Sequence, residues 1–230
     1  VIIQVQGKKR MKLSKRLQTI FDMCPPGVAA DVGSDHGKLI IALLQEGKIT
    51  KGYAIENKKG PYERLVSSLL SEGIIDEIVP LFSDGISDIP NAVNIVIIAG
   101  MGGSNIVDIL AKDKSKLHYV ETIIVDAHSE IPLVRKEISA LGYVISDEKI
   151  VEEDEKFYEI IKFSKKDVAF YSENDLEFGP ILSIEKSATF KEKYIQRIKE
   201  IDYLLNSKNA LPKSKIEQLI KEKEKIRGIL

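Results

Sequence analysis

The sequence predicts an α/β fold: a largely parallel sheet wound with helices, carrying a helical hairpin at its C-terminal end. Three observations predict it. Short apolar runs of strand length alternate with longer amphipathic stretches of helical period. The first strand carries an acid, Asp31, and leads through Gly33-Ser34-Asp35-His36-Gly37 into a helix, the order of a ligand-binding β–loop–α unit. Beyond residue 186 the alternation stops, and apolar residues recur at spacings of three and four among lysines.

Taken in order, residues 1–10 read as a leader ahead of Met11. Leu13, Leu17, Ile20 and Phe21 make the apolar stripe of a first helix, with Lys12, Lys15 and Arg16 off the stripe, and Pro25-Pro26-Gly27 ends it. Residues 28–32 form the first strand; the helix behind the glycine loop spans 38–45. The second strand, 52–56, ends in Glu56, and a helix opening at Gly60-Pro61 carries Leu65, Val66, Leu69 and Leu70. The third strand, 78–82, contains Pro80, which lacks an amide donor and predicts an edge position. Residues 93–99 are nearly all apolar, as a central strand buried on both faces requires. Gly100-Met101-Gly102-Gly103 follows, with Ser104 as the expected cap of a helix over 105–110. A fifth strand, 122–125, runs into Asp126-Ala127-His128, and a helix follows from Pro132 to Gly142. Residues 143–145 and 157–163 read as an antiparallel pair joined through the acidic turn 152–155, and 165–179 as polar loop. Tyr194, Ile198, Ile201 and Leu205 then face Ile216, Leu219, Lys223 and Ile226 across a hairpin with a partly coiled-coil seam. The expected division is a wound domain over 11–165, a connection over 166–185 and a helical domain over 186–230.

The 230 residues, 43% apolar with net charge -1, fit one α/β domain plus this appendage. A single cysteine, Cys24, excludes a disulfide framework and a thiolate metal cluster, and reads as a small apolar filler. No apolar run reaches the length of a membrane span and no signal peptide is legible, so a cytoplasmic location without membrane contact is expected. The charge is uneven. Residues 1–16 carry +6 and residues 186–230 carry +6, leaving -13 between them. Two basic ends around an acidic body suit an enzyme that works on nucleic acid; they also suit ordinary solvated, lysine-rich helices.

The glycine loop has neither the G-x-G-x-x-G spacing nor a Gly-Lys-Ser/Thr pair, so neither the dinucleotide nor the phosphate-loop pattern fits. An acid beside it suits a ligand with a cationic amino group and a sulfonium centre, which favours S-adenosylmethionine. Gly33 and Gly37 permit the tight turn and close backbone approach. Glu56, at its strand tip, can accept from two ribose hydroxyls, or is a merely solvated acid. Asp84 can accept from an adenine amino group while also making an Asp-Gly turn. No proline-proline-aromatic grip follows the fourth strand, so the backbone of residues 100–103, with Met101 as apolar wall, would have to hold a target base. His36 and His128 sit at strand tips and can face a ligand, but no further ligand stands at zinc spacing and no metal is expected.

Leu13-Ser14-Lys15-Arg16-Leu17, Gly33-Ser34-Asp35-His36 and Ala99-Gly100-Met101-Gly102-Gly103, in this order, resemble the bacterial tRNA (adenine-N1)-methyltransferase family that modifies position 22 of tRNA. The resemblance runs from Met11 through Phe178-Gly179-Pro180 to the hairpin. It implies a Rossmann-like class I S-adenosylmethionine-dependent methyltransferase fold with a C-terminal helical domain, acting on tRNA. It implies cofactor contacts at Asp31, Gly33, Ser34, Asp35, His36, Glu56, Asp84, Gly100 and Met101, and a target-base pocket at Gly102, Gly103 and His128. Two departures stand out. The family usually has Gln-Pro-Asn where this chain has Asp126-Ala127-His128, which touches the base pocket. It commonly has Ala-Gly-Glu where this chain has Ala54-Ile55-Glu56, which keeps the acid.

Methyl transfer to N1 of adenine needs the Watson–Crick edge exposed and leaves the ring cationic. Asp31, Asp35 and Asp126 are the candidates to meet that charge or take an amino proton, and the sequence does not choose among them. Other readings stay open: a methyltransferase for another RNA or a small molecule, or a nucleotide- or RNA-binding protein without catalysis. The hairpin can equally be a phosphate-contacting arm, an internal staple or a dimer contact; a monomer is the simplest assembly.

Overall fold

The computed structural model describes residues 11–166, 169–207 and 211–230, so the leader expected over residues 1–10 lies outside the described residues. Five strands run parallel: β1 (Gly27–Val32), β2 (Ile49–Glu56), β3 (Ile78–Phe82), β4 (Ile95–Met101) and β5 (Thr122–Ala127). β6 (Tyr143–Glu153) and β7 (Lys156–Lys165) form a hairpin whose second strand inserts antiparallel against β5. The sheet order is β3-β2-β1-β4-β5-β7-β6. The chain builds outward from β1 to β3, then returns to lay β4 on the other side of β1. Ligands bind at such a reversal, outside the carboxyl ends of the strands. Here those ends carry Gly33 on β1 and Gly100 on β4.

Alternation along each strand supplies two cores. Val96 and Ile98 of β4, with Ile123 and Val125 of β5, pack under α4 (Gly103–Lys112) and α5 (Ile131–Ala140). Ile95, Ile97 and Ile124 face the other way, under α1 (Lys15–Met23), α2 (Lys38–Gln45) and α3 (Lys59–Glu72). The central strands are apolar along most of their length because both faces are covered, and their buried acids, Asp31 and Asp126, stand toward the carboxyl ends of β1 and β5. β3 stands at the edge, where Pro80 loses no ladder bond, as its position predicts. Cys24 is buried in the second core, and burial pushes its thiol up to about 11, which fits a filler and not a reactive group.

A third cluster joins Ile150 of β6 to Phe178, Leu182, Phe190, Tyr194, Ile201, Leu219 and Ile226. It seats α8 (Ala188–Asn206) and α9 (Lys213–Ile229) against the end of the sheet. Of the residues expected along the seam, Tyr194, Ile198, Ile201, Leu205, Leu219 and Ile226 join this cluster, Ile216 does not, and Lys223 bonds Asp202 of α8.

Three local expectations are corrected. The stretch 165–179 is not simply loop: α6 (Glu173–Phe178), opened by a capping box between Ser172 and Asp175, follows the last strand, and α7 (Leu182–Glu185) comes next. β6 does not stop at residue 145; it continues through Asp147-Glu148-Lys149 past a register shift, and only Asp154 and Glu155, at φ 50° and 60°, make the turn. Ser104 does not cap α4. Gly102 takes that position, and the Ser104 hydroxyl donates to Glu130 Oε2 at 2.7 Å.

Candidate functional site

The β1 tip builds the first part of the site. The Gly33 and Ser34 amides both donate to the Ile55 carbonyl, at 2.9 and 3.3 Å, which folds the glycine loop over β2. Gly33, Asp35 and Gly37 all have positive φ, at 73°, 48° and 71°. That left-handed path is what the glycines permit, and Asp35 adopts it with its amide donating to Glu56 Oε1 at 2.5 Å. Asp31 is buried, and the Ser34 hydroxyl donates to its Oδ2 at 2.7 Å. Burial pushes the Asp31 carboxyl up to about 6; the Ser34 bond pulls it down and nearby Glu56 pushes it up again. Burial also raises Glu56, against the pull of the Asp35 amide. Asp84 is exposed; Asn57 donates to it at 3.0 Å and Lys112 lies at 3.5 Å, so it is held below its ordinary value.

Two clefts open here, and Gly33 lines both. One, of about 340 Å³, also touches Glu56, Asn57, Asp84 and Met101. The other, of about 350 Å³, also touches Arg16, Asp31, Ser34, Asp35 and His36. A Cβ built on Gly33 would stand 2.4 Å from the Met101 methyl, so any side chain there would fill the junction of the two. The two clefts share Gly33 as a lining residue, and it puts no side chain between them. The donor and acceptor set suits an elongated, phosphate-free nucleoside with an amino-acid tail.

The tips of β4 and β5 build the second part. Asp126 has no exposed surface, and Arg16 Nη1 donates to its Oδ2 at 2.6 Å. Its Oδ1 accepts no hydrogen bond of good geometry among the described residues. Burial pushes its carboxyl up, while Arg16, then His128 and the Gly100 amide, pull it down. His128 Nε2 lies 3.3 Å from Arg16 Nη1, and its ring meets Tyr158 edge-on at 5.6 Å between centroids. The Arg16 guanidinium stands 5.3 Å from the same Tyr158 ring. His128 also lines a groove of about 680 Å³ that Tyr158, Lys193 and Arg197 continue along the helical hairpin. The Arg16–His128 contact therefore separates that groove from the second cleft.

The structure thus gathers Asp31, Gly33, Ser34, Asp35, His36, Glu56, Asp84 and Met101 around the paired clefts, and Gly100, Asp126 and His128 beside them. Gly102 and Gly103 line neither cleft. Gly103 is packed against the backbone of Ser129 and Glu130. The expected place of Arg16, off the apolar stripe of α1, is corrected. It lies three residues after Leu13 and four before Ile20, which puts it on the sheet-facing side of the helix.

The family model described as tRNA (adenine(22)-N(1))-methyltransferase matches residues 29–227. A Bacillus subtilis protein of that same name is 33% identical over 195 residues, 82% of each chain. The structure of Streptococcus pneumoniae Sp1610 in complex with S-adenosyl-L-methionine is similar at TM-score 0.87 and 30% identity, over 95% of this chain and 100% of that one. Mycoplasma capricolum TrmK, in complex with the cofactor product S-adenosyl-homocysteine, is similar at TM-score 0.84 and 25% identity, over 94% and 96%.

Proposed function

The chain belongs to the tRNA (adenine(22)-N(1))-methyltransferase family, and from that premise we propose that the clefts on either side of Gly33 hold the cofactor while Gly100 and His128 border the target base. The reaction is transfer of a methyl group from S-adenosylmethionine to N1 of adenine 22 in tRNA. The cofactor supplies a methyl group already activated on a sulfonium. N1 carries its own lone pair, so no proton needs removal before transfer, and the protein's work is alignment.

The three candidate carboxylates differ in role. Asp31, buried beside the glycine loop, offers its charge to the cofactor's amino group. Asp35 contributes through its amide, which closes the loop on Glu56, since its carboxylate is largely exposed. Asp126 has no surface with which to touch a base and acts through Arg16 and His128. Glu56 faces the ribose, and Asp84 with Asn57 the adenine ring of the cofactor.

The observation that carries this reading is the side-chain-free junction at Gly33 between buried Asp31 and Glu56. Asp31→Asn tests it with two signs at once. A carboxyl whose native pKa is about 6 favours the protonated folded state, so the empty protein loses stability as pH rises from about 4 and remains weakened above about 6. The substitution should therefore stabilise the ligand-free protein at pH 7 by about 1–2 kcal/mol. It should weaken S-adenosylmethionine binding about tenfold or more. Calorimetry giving wild-type affinity would remove Asp31 from the site.

For tRNA, we propose that the division into 11–165, 166–185 and 186–230 separates chemistry from docking, with the hairpin as the arm that meets the phosphate backbone. Several of its cations are committed internally: Lys193 to Glu159, Arg197 to Glu222, Lys225 to Glu177. Lys191, Lys199, Lys215 and Lys221 are exposed; Lys208 lies outside the described residues, as do Lys8 to Arg10 of the other basic segment. Changing Lys191, Lys199 and Lys215 to Glu should weaken tRNA binding. It should also flatten the logarithmic salt dependence by somewhat under about one unit for each lysine that meets a phosphate. Filter binding over a salt series reads both, and an unchanged slope would make the hairpin a staple and not an arm.

A further inference from the structure

We propose that His128 is a substrate-binding residue that donates a hydrogen bond from Nδ1 to a ring nitrogen of the target adenine other than N1, and that Arg16 is the positioning residue that fixes the donating tautomer. The inference rests on the reading that His128 borders the target base, and deepens it.

The tautomer follows from the partner on the other ring nitrogen. His128 Nε2 lies 3.3 Å from Arg16 Nη1. A guanidinium has donors and no acceptor, so this contact is a hydrogen bond only when Nε2 accepts. A proton on Nε2 would set N–H against N–H. The carboxylate that could draw such a proton away, Asp126, has its Oδ2 at 3.9 Å from Nε2, and that oxygen already accepts from Arg16 at 2.6 Å. The neutral ring therefore carries its proton on Nδ1. No hydrogen bond from Nδ1 is made among the described residues.

The ring is held around that free donor. The His128 amide donates to the Met101 carbonyl at 2.8 Å, which ties the end of β5 to β4. Tyr158 of β7 meets the imidazole edge-on. The side chain is still partly exposed. It lines the groove toward the hairpin and neither of the two clefts at Gly33. A base that approaches the cofactor from the groove side thus meets His128 first. N1 must keep its lone pair for the methyl group, so a protein donor can serve only N3 or N7. Transfer leaves the ring cationic, and an uncharged donor suits that product better than an ammonium or an imidazolium. The Arg16 charge behind the histidine is already matched by Asp126.

Two measurements on the full chain test this. Nitrogen-15 NMR with labelled histidine, the His128 signals assigned by their loss in His128→Ala, should show the Nδ1–H tautomer. Arg16→Met should turn it to Nε2–H, free to bond Asp126; the wild-type tautomer is decisive whether or not that variant folds. The second measurement is transfer to tRNA carrying adenine, 3-deazaadenine or 7-deazaadenine at the target position. His128→Ala should lose about tenfold in kcat/KM on adenine, with S-adenosylmethionine affinity changed less than about twofold. His128→Asn, whose amide nitrogen stands near the place of Nδ1, should recover part of that loss. One of the two analogues should cost the wild type about five- to tenfold more than it costs His128→Ala. The altered basicity of N1 in each analogue is common to both enzymes and cancels in that ratio. An Nε2–H tautomer in the wild type, or an excess cost with both analogues or with neither, sinks the donor assignment while His128 keeps its place beside the base. Wild-type turnover by a folded His128→Ala protein removes His128 from the target-base pocket altogether.

Discussion

Gly103→Ala is expected to reduce methyl transfer at least about 100-fold, whereas Gly102→Ala should remain close to wild type. The two glycines are neighbours, but only one is crowded by atoms that cannot turn aside. A Cβ on Gly103 would stand 2.6 Å from the Ser129 carbonyl oxygen and 2.9 Å from that of Glu130. The Gly103 amide also donates to Ser129 O at 3.1 Å, a bond that any separation would break. A Cβ on Gly102 would meet only the Ser129 hydroxyl, at 3.3 Å, and its φ of -67° suits any residue. Relief at Gly103 has to come from moving residues 129–130. That segment directly follows His128 and is already strained, with Glu130 at φ 54° and its carboxylate held by the Ser104 amide and hydroxyl. His128 would move with it, and with His128 the contact to Arg16. Displacement of about 1 Å at a reacting centre is enough for a hundredfold loss. Transfer to unmodified tRNA, read beside thermal unfolding, decides the matter. Wild-type turnover by a folded Gly103→Ala protein would show that the β4 tip does not set the geometry of the site.

The parts of the molecule that are legible in the sequence are those where one physical requirement dominates. Strands covered on both faces are apolar along most of their length, so β4 and the body of β5 can be read directly. Turns with positive φ favour glycine, so the spacing of Gly33 and Gly37 is enough to place the loop. Pro80 marks the sheet edge because a missing amide is tolerated there. The parts that are not legible are those where charge goes inside. Read from the sequence, the strand ends at residue 145, before Asp147-Glu148-Lys149, yet Glu148 is buried and the strand continues through it. Arg16 sits on the sheet-facing side of its helix, but a guanidinium at such a position reads as surface until Asp126 is seen beneath it. The capping box at Ser172 and Asp175 is hidden by polar neighbours. For the buried charges, the partner that makes burial tolerable is far away along the chain, and a local pattern cannot show it.

The largest of these hidden features yields the strongest stability prediction: Arg135→Met should destabilise the protein by about 3–5 kcal/mol. Arg135 of α5 has no exposed surface. Its Nε donates to Glu148 Oε1 of β6 at 2.8 Å, its Nη2 bonds Glu159 of β7, and its Nη1 donates to the Leu176 carbonyl of α6 at 2.9 Å. Glu148 accepts in turn from the Ile181 amide at 2.9 Å, and Lys193 of α8 bonds Glu159. One guanidinium therefore ties the α/β body to the segment that leads into the helical hairpin. Gly179, at φ 83°, makes room for it: a Cβ there would stand 2.6 Å from Glu148 Oε2 and 2.7 Å from Arg135 Nη2. Removing the cation leaves Glu148 without a cation and Glu159 with Lys193 alone, both in a dry interior, which is far worse than never having had the network. For a chain of this size the loss corresponds to roughly 6–20 °C in Tm. Its pH dependence has a definite sign. In the wild type, burial pushes the Glu159 carboxyl up, but Lys193 and Arg135 outweigh it and hold it below its ordinary value. It therefore stabilises above the ordinary carboxylate range, and that contribution is lost as pH falls through the native value. Glu148 runs the other way: burial outweighs Arg135 and keeps it raised. In Arg135→Met both acids lose their shared cation and move upward, so protonation relieves them. The deficit against wild type should be largest near about pH 8 and shrink as the pH is lowered toward about 5. Urea unfolding at both pH values measures it. A deficit that is small, or equal at the two, would mean that these carboxylates reach water once Arg135 is gone, and that the network does not hold the helical end to the sheet.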